Sequence, residues 1–173
     1  GGAAAAPLRL AVQDVYKIRG TELVAEVTVE AGTLQPYMNK GLVLSPGLAP
    51  VHARRLEVDG SELEGEARTG TSVSLVGVYA EAATAPWYQA AFGSGVLPKI
   101  VPGVVLSEQG RQPAEAVHRF LGRFSVLAMP QSGGLRAGDE VILDAHAAHV
   151  PCVIVELCWR RSSHRSGGRR QLW

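Results

Sequence analysis

The sequence predicts an all-β protein built from two consecutive small β-barrels. Apolar and polar residues alternate with a period of two along several short segments, as in strands that bury only one face. Turns that contain Gly or Pro separate these segments at short intervals, which is typical of all-β barrels and sandwiches. Hydrophobic residues make up 46% of the 173 residues and aromatic residues only 6%. Val, Leu, Ile and Ala must therefore fill the core.

The first predicted barrel spans residues 7–107 and follows a flexible leader over residues 1–6. Its strands are predicted over residues 8–15, 23–29, 41–45, 52–58, 71–79 and 101–107. Turn residues such as Gly32, Pro46 and Gly60 separate neighbouring segments, which supports the assignment of short antiparallel strands.

Residues 80–98 interrupt this pattern as an insertion. A short helix is predicted around Trp87, Tyr88 and Phe92, with Gly93 ending it. These aromatic side chains either cap the open end of the barrel, which is the preferred interpretation, or bind a partner protein.

A polar linker over residues 108–114 leads into a second β region over residues 115–173. Strands are predicted over residues 120–129 and 141–159, the latter hinged near 147–151, followed by a loop over 160–173. So few strands leave an open sheet edge, which favours aggregation unless another element covers it. We therefore expect a truncated barrel, or an edge covered by the first barrel or by another chain.

Charge is unevenly placed along the chain. Residues 1–155 carry 12 basic and 15 acidic residues, whereas residues 156–173 carry five Arg and one Glu. Such a basic segment either binds a phosphate-rich partner or is a solvated tail.

No apolar run approaches the roughly 20 residues of a membrane-spanning helix, and the leader lacks the features of a signal peptide. The cytosol is therefore the expected location.

The two cysteines, Cys152 and Cys158, lie in one apolar run. Along a strand, their spacing of six residues corresponds to about 20 Å, which is too far for a disulfide. We expect buried free thiols, which fit a reducing compartment.

Catalytic motifs are missing from the sequence. No phosphate-binding loop, dinucleotide fingerprint or nucleophile elbow is present. The one spacing that suggests a metal is that of His146 and His149, which would face opposite sides of a regular strand. Asp144 could orient either imidazole, and a satisfied buried polar cluster is the preferred interpretation. A further hypothesis is an enzyme that uses Asp144, His146 and His149. No metal site is expected.

Several segments resemble one protein family. They read PLRLAVQDVYKI at 7–18, VEAGTLQPYM at 29–38, VPGVVL at 101–106 and LDAHAAHVPC at 143–152, followed by a basic Arg/Ser/Gly loop at 160–170. In this order they are similar to domains two and three of the eukaryotic elongation factor one-alpha class of translational GTPases. The resemblance implies an EF-Tu domain 2-like barrel followed by an incomplete EF-Tu C-terminal-domain-like barrel.

The sequence also departs from that family. The nucleotide-binding domain is expected to be absent, so GTP and magnesium would bind only through that missing domain. Val27 and Thr28 stand where the family has Gly followed by a basic residue, and Tyr37 replaces a Gly. These departures, with the insertion at 80–98, favour the ribosome-rescue (Hbs-type) or release-factor branch.

The resemblance implies a non-catalytic module that docks on the small ribosomal subunit and on tRNA or a tRNA-shaped release or rescue factor. Neither membrane nor DNA is an expected partner. Arginine side chains pair with backbone phosphates in a bidentate manner. The candidate RNA-binding residues are Arg160, Arg161, Arg165, Arg169 and Arg170. The alternative is a protein-only module that binds a release, rescue or nucleotide-exchange factor through Trp87, Tyr88 and Phe92.

Overall fold

The structure is a computed structural model that describes residues 6–45, 48–81, 98–125, 127, 134–160 and 171–172. Within these residues it contains fifteen β-strands and one 3-10 helix, so the predicted all-β class is confirmed. The chain forms two compact units. The first unit consists of Gly1–Ala116 with Ala145–Ala148, and the second of Val117–Asp144 with His149–Trp173.

Eleven strands and the 3-10 helix lie in the first unit. The strands are β1 (Arg9–Ile18), β2 (Glu22–Ala31), β3 (Thr33–Leu34), β4 (Leu42–Ser45), β5 (Ala49–His52), β6 (Arg55–Val58), β7 (Ser61–Glu62), β8 (Ala67–Arg68), β9 (Ser72–Val76), β10 (Tyr79–Ala80) and β11 (Val105–Glu108), and the helix is Pro36–Lys40. Nine strands form one antiparallel sheet in the order β10-β5-β4-β11-β1-β2-β9-β6-β7, while β3 pairs with β8. Strand β11, which is the last strand of the first unit in sequence order, lies between β4 and β1.

One apolar cluster fills the first unit. Its members come from most of the strands and are aliphatic, with Met38 from the 3-10 helix among them. Leu10, Leu42, Leu75 and Leu106 are completely buried, because each occupies an inward position of its strand. No Phe, Tyr or Trp is among the buried core residues of the described chain, so the prediction of an aliphatic core is confirmed.

Two predicted strands of the first unit are interrupted in the structure. Residues 52–58 were predicted as one strand, but β5 and β6 are separated there because Ala53 N donates to Asn39 O (2.7 Å) and not to a sheet partner. Residues 71–79 are likewise split into β9 and β10 at Gly77, whose φ is +66°. The two-residue strands β3, β7 and β8 are too short to show an alternating pattern.

The second unit contains a β-hairpin, apart from its tip at Ala145–Ala148, and a further two-stranded sheet. The strands are β12 (Glu140–Ala145), β13 (Ala148–Val153), β14 (Trp159–Arg160) and β15 (Gln171–Leu172). Strand β12 pairs with β13, and β14 pairs with β15. The chain turns at His146 (φ +54°) and Ala147, at the start of the predicted hinge near 147–151, and Pro151 lies inside β13.

Two further expectations for this region are wrong. Residues 120–125, predicted as the start of a strand, carry only an isolated bridge at Phe124, because Phe120 and Leu121 are exposed and no sheet face buries them. Both cysteines are free as predicted, but Cys152 is only half-buried and Cys158 is exposed.

Within the described residues, no helix combines the length and apolar character needed to cross a membrane.

Candidate functional site

The residues predicted to bind RNA or a partner lie almost entirely outside the described structure. The backbone of Arg160 belongs to β14, where Arg160 pairs with Gln171. Residues 161–170, with the other four arginines, and residues 82–97, with Trp87, Tyr88 and Phe92, lie outside the described residues. Both assignments therefore stay predictions.

The described part of the first unit contains a surface groove of about 550 Å³. Its lining residues come from the end of the 3-10 helix, from the break between β5 and β6, and from β10 with its flanks. They are Lys40, His52, Ala53, Arg54, Gly77, Tyr79 and Glu81. The groove thus forms where the alternation of two predicted strands is interrupted.

Hydrogen bonds to backbone groups hold the floor of this groove. Asn39 and Ala53 are joined twice, since Ala53 N donates to Asn39 O and Asn39 Nδ2 donates to Ala53 O (3.2 Å). Arg54 N donates to Val76 O (2.9 Å). A Cβ at Gly77 would lie 3.0 Å from Arg54 Cβ, which is tighter than ordinary contact, so glycine keeps the floor open.

One wall of the groove is aromatic. Tyr79 and His52 are cross-strand partners, with ring centroids 5.2 Å apart and planes at 36°. His52 Nε2 lies 3.0 Å from Glu81 Oε1, and Glu81 N donates to Pro50 O (2.8 Å). These contacts fix the imidazole behind the Tyr79 ring, which is 56% exposed.

Two cations, Lys40 and Arg54, also line the groove. Arg54 forms an ion pair with Glu22 through Nη2, while its side chain stays 60% exposed. Lys40 ends the 3-10 helix and is also exposed. The groove therefore brings together two cations, one aromatic face and one carboxylate, and it was not predicted from the sequence.

A second polar feature runs across the outer face of the large sheet. In-register pairs align Asp14, Glu26, Ser74, Glu57 and Glu62 across β1, β2, β9, β6 and β7. We call these five residues the acidic row. Four carboxylates in one row make this face unfavourable for a phosphate backbone.

Hydrogen bonds tie Glu26 in the acidic row to its neighbours. Tyr16 Oη donates to Glu26 Oε1 (2.7 Å), and Ser74 Oγ lies 2.9 Å from both carboxylate oxygens. The hydrogen bond to Glu26 raises the pKa of Tyr16, because ionising the phenol would break the bond and place two anions together. Similarly, the hydrogen bond to Glu57 raises the pKa of Arg55.

The three residues of the enzyme hypothesis do not form the buried cluster that was preferred for them. His149 Nδ1 lies 2.6 Å from Asp144 Oδ1, and both side chains are largely exposed, at 73% and 69%. His146 occupies the turn, where its Nδ1 lies 3.3 Å from Glu30 Oε1 within the first unit. Among the residues that the structure describes, no three His, Cys, Asp or Glu side chains are grouped to hold a metal ion.

Comparison with known proteins bears on the whole chain. No protein-family model matches it. It is 30% identical over 151 residues, 87% of its length, to elongation factor 1-alpha from Stylonychia lemnae and, over the same share, to that from Onchocerca volvulus. It is also 30% identical over 164 residues, 94% of its length, to elongation factor 1-alpha 1 from Euplotes crassus. The chain spans 28–32% of the length of these relatives.

A solved structure supports the same assignment at the level of fold. Translation elongation factor SelB from Methanococcus maripaludis, in its apo form, matches 99% of this chain and 31% of its own, with a TM-score of 0.54 and 14% identity. The resemblance inferred from the motifs is confirmed, and the chain is homologous to elongation factor 1-alpha over most of its own length.

Proposed function

We propose that this homologue of elongation factor 1-alpha is a non-catalytic docking module of a translation factor. The observation that carries the proposal is the 30% identity that extends over 87–94% of the chain. The groove adds a surface that suits binding better than chemistry, because each of its ion pairs includes an exposed side chain, Glu81 (53%) or Arg54 (60%). In this proposal GTP hydrolysis belongs to a domain outside residues 1–173, and the module works in the cytoplasm.

The proposed partners are the small ribosomal subunit and tRNA or a tRNA-shaped release or rescue factor. The basic segment, with five Arg and one Glu over residues 156–173, would supply the phosphate contacts. The acidic row repels phosphates, so RNA would approach the first unit from another side. The rescue or release branch is proposed over the delivery of aminoacyl-tRNA because of Val27, Thr28 and Tyr37.

A binding series over salt concentration tests this function. The chain is titrated with purified ribosomal subunits and with tRNA, beside a variant in which Arg160, Arg161, Arg165, Arg169 and Arg170 are changed to Ser. A matched variant changes Arg19, Arg68, Arg119, Arg123 and Arg136, all exposed, to Ser and removes the same charge.

Because phosphate contacts release counterions, binding of the unmodified chain should weaken steeply with salt, and the first variant should lose most of the affinity. The matched variant should bind nearly as well as the unmodified chain. Equal losses of affinity in both variants would mean that the arginines of residues 160–170 act only through the net charge of the chain. Absence of binding at low salt would overturn the proposal.

A protein partner is the second candidate function. The observation that favours it is a set of exposed apolar side chains on and after the β12–β13 hairpin, including Ile142 (71% exposed), Val153 (56%) and Val155 (61%). A complex with a release, rescue or exchange factor that survives moderate salt, and that weakens when Ile142 and Val153 are changed to Ser, would favour this candidate. Trp87, Tyr88 and Phe92 stay the proposed anchors of such a complex.

A further inference from the structure

We propose that two copies of this chain form a symmetric dimer by exchanging strands. Residues 117–125 of each copy add as a third strand to the free edge of β12 in the other copy. The inference goes beyond the docking function proposed above and does not rest on it. It commits the open hairpin of the second unit to one occupant, because the two elements match in exposure, charge and spacing.

The donor element is the segment over residues 117–125. Every residue of this segment is exposed, and its apolar side chains include Val117 (70%), Phe120 (59%) and Leu121 (85%). An isolated bridge at Phe124 is the one sheet contact of this segment in the described structure. A cluster of large apolar side chains exposed within one short segment indicates an interaction surface.

The acceptor element is the β12–β13 hairpin, which is a sheet of two strands. Leu143 is 38% and Val150 45% exposed, so the apolar face to which both belong is only partly covered. A sheet of two strands is marginally stable by itself, and a third strand would extend this face. Since side chains alternate along a strand, the members of the face are Val141, Leu143, Val150, Cys152 and Ile154.

Pro151 leaves β12 as the edge that accepts a strand. Ile154 N donates to Asp139 O (2.9 Å), so every second residue of β13 directs its backbone groups to β12, and Pro151 faces the outer edge between them. Proline has no N–H to offer a further strand at that edge. The outer edge of β12 contains no proline and keeps its full set of donors and acceptors.

Charge favours the pairing of these two elements. Residues 117–125 contain Arg119 and Arg123 and no acidic residue, whereas β12 contains Glu140 and Asp144 and no basic residue. Each pair is four residues apart, and residues four apart in a strand lie on one face. An antiparallel register that places Arg119 opposite Asp144 therefore also places Arg123 opposite Glu140. Opposite charges in facing positions stabilise a sheet.

The same register matches the apolar faces. It places Phe120 opposite Leu143, because the neighbours of Arg119 and Asp144 point to the other side of the sheet. The basic side of the segment thus meets the acidic side of β12, and the aromatic side extends the apolar face. A register shifted by one residue would turn both arginines onto the apolar face, so the pattern selects one alignment.

A second copy supplies the added strand. Within one chain, the described structure leaves residues 117–125 exposed and the hairpin with two strands. Each copy carries one donor segment and one acceptor edge, so two copies satisfy both pairings around a twofold axis. Twofold dimers are the commonest homo-oligomers, and exchange of an identical element is a low-cost route to them.

Size-exclusion chromatography with light scattering tests the dimer in the absence of RNA. The mass of the unmodified chain should rise from 18.3 kDa towards twice this value as its concentration increases. One variant combines Arg119→Glu with Arg123→Glu, and a second combines Glu140→Arg with Asp144→Arg. Each should weaken dimerisation more than about tenfold, because every facing pair becomes repulsive.

A matched control reverses the same amount of charge in the first unit. Arg19→Glu combined with Arg68→Glu changes two exposed arginines that lie outside the proposed interface. This control should dimerise like the unmodified chain. An equal loss of dimer in the control would mean that net charge, and not the facing pairs, governs association, which would overturn the inference.

An equimolar mixture of the two charge-reversed variants gives the sharpest measurement. At both strand pairings of a mixed dimer, the new charges of one variant face opposite charges of the other. The mixture should therefore recover the dimer that each variant alone has lost, whereas strands paired within one chain cannot respond to mixing. No recovery, with both variants folded by circular dichroism, would overturn the inference.

Hydrogen exchange of the unmodified chain tests the inference without any variant. Amide exchange in residues 117–125 and in β12 should slow as the concentration rises. Slow exchange of residues 117–125 at concentrations where the chain is monomeric would mean that its own strand occupies the edge, and would overturn the inference. A chain that is monomeric at every concentration would do the same. The docking function is unaffected by either result, because RNA is absent from these measurements.

Discussion

Strands β2 and β12 have similar apolar sequences but very different surroundings. In β2, Ala25, Val27 and Val29 are at most 1% exposed, because β1 and β9 flank the strand and the core cluster covers its inner face. In β12, Ile142 is 71% and Leu143 38% exposed in a sheet of two strands. An apolar strand face is therefore buried only where other elements pack on it, and the sequence of the strand alone does not determine whether they do.

The largest contrast is expected from truncating one side chain in each unit. Leu75→Ala in β9 removes a completely buried side chain and should lower the free energy of unfolding by about 2–5 kcal/mol. Ile142→Ala in β12 should change it by at most about 0.5 kcal/mol, because the side chain is already exposed. Urea unfolding followed by circular dichroism measures both. Comparable losses would mean that Ile142 is covered in solution.

Two glycines with positive φ sharpen the same contrast. A Cβ at Gly32 (φ +73°) would lie 2.8 Å from the backbone of Ala6 and Leu8, whereas Gly138 (φ +95°) has open space around it. Gly138→Ala should cost about 1–3 kcal/mol for backbone strain alone. Gly32→Ala should cost distinctly more because it adds a steric clash. Thermal unfolding of the two variants checks the order, and a reversed order would contradict the close packing at Gly32.

Two buried serines test hydrogen bonding within the first unit. Ser107 Oγ accepts a hydrogen bond from Ala114 N (3.0 Å), so Ser107→Ala should lower the free energy of unfolding by about 1 kcal/mol. Ser45 Oγ is buried without a partner among the described residues, so Ser45→Ala should leave stability unchanged or raise it. Denaturant midpoints of the two variants decide, and a clear loss for Ser45→Ala would indicate a partner for its hydroxyl.

The smallest expected effect concerns pH. The pKa of Tyr16 is raised in the folded protein, so the folded state holds the phenolic proton more tightly than the unfolded state. The stability that this provides is present below the unfolded pKa of about 10 and is lost as pH rises through the folded value. Tyr16→Phe should therefore flatten the decline in stability above about pH 10. Parallel declines in the variant and the unmodified chain would contradict a role for Tyr16.

Part of this architecture could be predicted from the sequence. The alternation in β1 and β2 predicted both strands, because each buries one face on an aliphatic core. The interruptions at Ala53 and Gly77 could not be predicted, since Ala53 N donates to Asn39 O and Arg54 N donates to Val76 O, and in each pair the two residues are distant in sequence. The groove was missed for the same reason.

The alternation of apolar and polar residues also could not predict which side chains are buried. Asp144 and His149 were predicted to be close, and they are in contact, but they were expected to be buried. Their exposure depends on which elements lie above the hairpin, which is a property of tertiary packing. The family could be inferred because its motifs are spread along the chain in a fixed order.

The place of β11 has a consequence for synthesis of the chain. Until β11 is added, the large sheet consists of two separate parts, β10-β5-β4 and β1-β2-β9-β6-β7. Strand β4 ends at Ser45 and β11 begins at Val105, so at usual elongation rates the edge of β4 waits roughly 3–12 s for its partner. Arg9 then pairs with Ser107, a closure between residues far apart in sequence that slows folding. For seconds, the nascent chain therefore exposes the edges of β4 and β1, which β11 later pairs, and this is the interval in which a chaperone would be most useful.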